Sequence, residues 1–110
     1  MKIGILISGR GSNMVALIDG VQGGEIPASE VAVVISDNSD AAGIEKARER
    51  GVEAIAVERG GRTRAEHDAE IIDELKKRGV ELVCLAGYMR WPDLRPIKLE
   101  RTAARSLSAF

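Results

Sequence analysis

A chain of 110 residues, 45% of them hydrophobic, is long enough for one domain or part of one and is too apolar to be a disordered segment. A net charge of −1 exerts no electrostatic pull toward nucleic acid or an anionic membrane. Tyr88, Trp91 and Phe110 are the only aromatics, too few for a base-stacking platform.

The first predicted element is a strand over Ile3-Gly4-Ile5-Leu6-Ile7, a continuous apolar run suited to a parallel sheet buried on both faces. Gly9-Arg10-Gly11-Ser12-Asn13 follows as a Gly-rich turn, and Met14-Val15-Ala16-Leu17-Ile18 begins a helix that ends near Val21. A strand, a turn of this kind and a helix N-terminus present free backbone N–H groups and the positive end of a helix dipole. Two readings stand for this turn. It is a phosphate site on Gly11, Ser12 and Asn13, or a plain βα turn whose helix Ser12 or Asn13 caps. The dinucleotide fingerprint is broken by Met14, and no Lys follows the glycines as a Walker loop requires.

After the loop at 23–27, the apolar run Val31–Ile35 predicts a second strand. Asp37-Asn38-Ser39-Asp40 then makes a turn in which Asp40 is expected to cap a helix over Ala41–Arg50, closed by Gly51. Val52–Val57 is a third, shorter strand. Thr63-Arg64-Ala65-Glu66 spells a capping box for a helix with an acidic start, a basic end at Lys76, Lys77 and Arg78, and a buried stripe of Ile71, Ile72 and Leu75. Gly79 ends that helix, and Val80–Leu85 is the fourth strand. Cys84 lies in this apolar run with no Cys or His neighbour, which predicts a buried thiol and neither a disulfide nor a metal site. No apolar stretch is long enough to span a bilayer, and the chain enters its first strand without a signal core, so a cytoplasmic protein is expected.

Four strands joined by three helical crossovers predict an α/β fold, a Rossmann-like parallel sheet with helices on both faces. Right-handed crossovers favour the strand order 3-2-1-4, with the ligand crevice beyond the C-terminal ends of strands 1 and 4. Strand 1 then delivers Gly9–Asn13 to that crevice, and strand 4 delivers Ala86-Gly87-Tyr88-Met89-Arg90. The convergence favours a small-molecule site over a plain turn.

The same stretches carry a resemblance. Ile7-Ser8-Gly9-Arg10-Gly11-Ser12-Asn13, then Ser36-Asp37-Asn38, then Leu85-Ala86-Gly87-Tyr88-Met89-Arg90 resemble the glycinamide ribonucleotide formyltransferases over residues 1–90. The resemblance implies transfer of a formyl group from 10-formyltetrahydrofolate, as co-substrate, to glycinamide ribonucleotide in purine synthesis. It implies that Gly11, Ser12 and Asn13 hold the substrate phosphate. Tyr88, Met89 and Arg90 would line the folate pocket, and Arg64 would face the folate's acidic tail. Beyond Arg90 the likeness stops, and residues 91–110 read as a divergent tail, as a frameshift or premature stop would produce. The family's Asn-x-His-Pro-Ser loop and its later Asp find no match there, so no catalytic residue is assigned and these 110 residues are expected to be inactive alone. The one histidine, His67, is expected on a helix surface. Alternatives are a non-catalytic phosphosugar or nucleotide-binding module, an inactive remnant, or a related folate formyltransferase or hydrolase. Strand 4 is expected to sit at a sheet edge with apolar surface around Val83 and Leu85 exposed, and to drive self-association.

Overall fold

The structure, a computed structural model, describes residues 1–88. Met89, Arg90 and the tail at 91–110 lie outside the described residues. Strand and helix alternate in the order β1 (Lys2–Ile7), α1 (Ser12–Gln22), β2 (Glu30–Ser36), α2 (Ala42–Glu49), β3 (Ala54–Ala56), α3 (Arg64–Lys77) and β4 (Leu82–Leu85). All pairings are parallel and the sheet order is β3-β2-β1-β4, the order that the crossovers predict. β1 is thus central, with Ile3 paired to Val31 on one side and to Leu82 on the other.

Alternation along the strands sends side chains to two cores. Ile3, Ile5 and Ile7 of β1 join Cys84 of β4, Leu17 and Ile18 of α1 and Ile44 of α2 on one face. Leu6, Val33, Ile35, Val83 and Leu85 join Ile71, Ile72 and Leu75 of α3 on the other. This is the three-layer arrangement that buries both faces of a parallel sheet. Cys84 is fully buried in it, and burial pushes its thiol up to about 12, which leaves no thiolate at neutral pH.

Four expectations are corrected. His67 is not a surface residue: it is 1% exposed, and its Nε2 lies 2.6 Å from the Val57 carbonyl oxygen. That carbonyl can only accept, so Nε2 carries the proton and ties α3 to the end of β3. The reason is periodicity, since His67 precedes Ile71 and Leu75 by four and eight residues and shares their stripe. Asp40 does not cap α2. The N-cap is Ala41, with no side-chain bond; Asp40 stands one residue before it, in an Asx turn where its N–H donates to the Asn38 carboxamide oxygen at 2.9 Å. The third strand is only Ala54–Ala56, not the longer run from Val52 to Val57. Val83 and Leu85 are not exposed. β4 does pair only with β1 among the described residues, but an open edge concerns backbone pairing, whereas these two side chains point into the α3 core.

Candidate functional site

The turn after β1 owes its shape to Gly11, whose φ of +73° places it in the left-handed region, where a Cβ is strained. Gly11 is the N-cap of α1 and has no side chain with which to cap it. Neither Ser12 nor Asn13 takes over that role: no side-chain cap bond forms, and the first turn carries no acidic residue. The first backbone bond of the helix runs from the Val15 N–H to the Gly11 carbonyl at 2.8 Å. Among the described residues, no backbone acceptor takes the N–H groups of Arg10, Gly11, Ser12, Asn13 or Met14. The helix therefore begins with a set of donors and a dipole end that no backbone acceptor among the described residues satisfies.

Arg10, Gly11, Ser12 and Asn13 line a cavity of about 290 Å³ together with Ser8, Gly9, Ala86 and Gly87. Two loops nearly eighty residues apart thus form one crevice, because β1 and β4 are hydrogen-bonded neighbours with Leu6 in register with Leu85. It sits at the C-terminal ends of the strands, where open α/β sheets take their ligands. The turn is tied to its surroundings by α2: the Gly43 N–H donates to the Gly9 carbonyl at 3.1 Å, and Lys46 Nζ donates to the Arg10 carbonyl at 3.0 Å.

Of the residues singled out in the sequence, the structure brings Gly11, Ser12 and Asn13 together on this cavity. Tyr88 does not line it; half-buried, it packs against the core beneath α3. Arg64 is exposed on the first residue of α3. Met89 and Arg90 are outside the described residues. Gly43 and Lys46 went unnoticed in the sequence. Among the described residues, no group of three or more His, Cys, Asp or Glu is arranged to hold a metal ion. No described helix is long and apolar enough to cross a membrane.

Comparison with known proteins places this geometry. Residues 1–92 match the formyl transferase family. The phosphoribosylglycinamide formyltransferase of Haemophilus influenzae is 37% identical over 108 residues, which are 97% of this chain and 50% of that protein. The Escherichia coli protein of the same name is 36% identical over 109 residues, 98% of this chain and 50% of its own length. Among solved structures, glycinamide ribonucleotide transformylase 1 from Symbiobacterium toebii superposes with a TM-score of 0.82 at 46% identity, over 88% of this chain and 47% of that one. The chain spans about half the length of these relatives. With the sheet order, the open turn and the sequence match in agreement, the chain belongs to the formyl transferase family.

Proposed function

We propose that this chain forms the substrate-phosphate side of an enzyme that moves a formyl group from 10-formyltetrahydrofolate to the amine of glycinamide ribonucleotide. The observation that carries the reading is the uncapped turn at Gly11, Ser12 and Asn13, opening on a cavity that the loop after β4 completes. A phosphate dianion fits those donors, since nothing acidic in the first turn of α1 opposes it. On this reading Arg64, Tyr88, Met89 and Arg90 belong to the folate side, and the protein is cytoplasmic and acts on small molecules, not nucleic acid. Residues 1–90 form the formyltransferase-like unit and 91–110 a divergent tail; the family match ending at residue 92 supports that boundary, although the pairwise likenesses run beyond it.

Formyl transfer forms one carbon–nitrogen bond, breaks another and removes a proton from the accepting amine. That proton needs an acid/base group within hydrogen-bond reach. The one histidine of these 110 residues is committed to the Val57 carbonyl in the core. The reading for the 110-residue polypeptide is therefore binding without turnover. Titration with glycinamide ribonucleotide, followed by amide chemical shifts, is expected to move Gly11, Ser12 and Asn13 and to leave α3 in place. A parallel formylation assay is expected to show no product. Unmoved turn amides overturn the site, and measurable product overturns the division of labour. The edge of β4, which pairs only with β1 among the described residues, offers a second copy a place to pair, which sedimentation velocity reads as a concentration-dependent dimer; a monomer throughout the micromolar range removes that idea.

A further inference from the structure

We infer that Gly43 and Lys46 of α2 are positioning residues that aim the backbone of the anion-binding turn, an inference that rests on the phosphate reading of Gly11–Asn13. The peptide unit supplies the argument. It is planar, and trans throughout the described residues, so each carbonyl points opposite to the N–H that follows it. The Gly9 carbonyl is held toward α2 by the Gly43 N–H, which turns the Arg10 N–H away from α2. The Arg10 carbonyl is held toward α2 by Lys46 Nζ, which turns the Gly11 N–H away likewise. Both of these amides belong to residues that line the cavity. Two bonds on the rear of the turn thus set the direction of two donors on its front.

Spacing adds a second constraint. A Cβ at Gly43 would overlap the Ile7 Cδ1 methyl, and would lie 3.1 Å from the Gly9 oxygen and 3.3 Å from the Gly11 Cα. The methyl can rotate aside, but the other two atoms are backbone of the turn itself. A larger residue at position 43 therefore presses on the turn, which must give by a few tenths of an ångström, and strains the bond to the Gly9 carbonyl. Lys46 acts without reaching the cavity lining: its ammonium, exposed and donating to the Arg10 carbonyl, polarises the peptide whose far end is the Gly11 N–H and adds a positive charge to the rear of the turn.

The test is amide-shift titration of the 110-residue chain with inorganic phosphate and with ribose 5-phosphate, combined with thermal melting. Lys46→Met is expected to weaken both probes roughly five- to tenfold, the worth of about one hydrogen bond, with little change in melting. Lys46→Arg, which restores a donor and a charge, is expected to recover most of the affinity. Gly43→Ala is expected to lose more than Lys46→Met, with shifts spreading from residue 43 to Gly9, Arg10 and Gly11; if that variant does not fold, the two Lys46 variants decide the matter. Wild-type affinity in Lys46→Met overturns the inference while the phosphate site stands, and so does a lowered melting temperature with unchanged affinity, which would make the bonds merely structural. Failure of the wild-type chain to show turn shifts with either probe overturns the site itself, and the inference with it.

Discussion

The N-termini of α1 and α3 meet the same physical problem in opposite ways. α3 begins at Thr63, whose hydroxyl accepts the Glu66 N–H at 3.2 Å while the Glu66 carboxylate accepts the Thr63 N–H at 3.0 Å. Two of the donors at this end, and its dipole, are satisfied by its own side chains. α1 begins at a left-handed glycine, without a side-chain cap and without an acidic residue in its first turn. The first end is built for the helix; the second leaves its donors to something else. Since a good cap contributes about 1 kcal/mol, a chain that omits one where Ser12 and Asn13 stand ready gives up stability at the place where the cavity opens.

Breaking the closed end is expected to give the largest effect on stability. Thr63→Ala should cost about 1 kcal/mol in chemical denaturation and leave phosphate affinity unchanged. A change in affinity would mean that the two ends are not independent. The open end should respond with the opposite pattern. Ser12→Asp places a carboxylate in the first turn of α1 and is expected to raise stability by about 0.3–1 kcal/mol, while phosphate binding is lost to charge repulsion. A variant that kept its ligand would refute the anion reading. The smallest effect is one of pH. Bonds from the Thr63 backbone and side chain hold the exposed Glu66 carboxyl below its ordinary 4.5. A lowered folded-state value means stabilisation that is present above 4.5 and fades as pH falls through the folded value. Melting curves of wild type and Glu66→Gln should therefore converge in acid and separate above it, and a constant offset at all pH values would show that the charge of Glu66 contributes nothing.

Much of this contrast is legible in the sequence. Thr-x-x-Glu names the closed end, and Gly-x-Gly after an apolar run names the open one, because both depend on neighbours within a few residues. The sheet order follows from strand–helix alternation and the handedness of crossovers. What escapes is set by packing between distant segments. Gly43 and Lys46 reach the turn only because β1 and β2 pair with Ile7 beside Ser36, which brings the start of α2 against Gly9 and Arg10. Asp40 fails as a cap because the helix starts one residue later, at Ala41, after the Asx turn of Asn38. His67 was readable, since its spacing to Ile71 and Leu75 is helical, but a polar residue on a buried stripe is easily assigned to solvent.

The central place of β1 also bears on how the chain is made. Of the described strands this one is synthesised before the others, yet its two neighbours arrive late: Ile3 meets Val31 on one side and, roughly eighty residues on, Leu82 on the other. At ~5–20 residues per second, the last of these emerges roughly 4–16 seconds after the first. Until then Ile3, Ile5 and Leu6 stand beside an unfilled strand position, and a nascent chain must keep them from other partners. Completion of the crevice waits on the same event, since Ala86 and Gly87 follow β4 directly. The order of translation thus makes closure of the sheet and assembly of the site one late step.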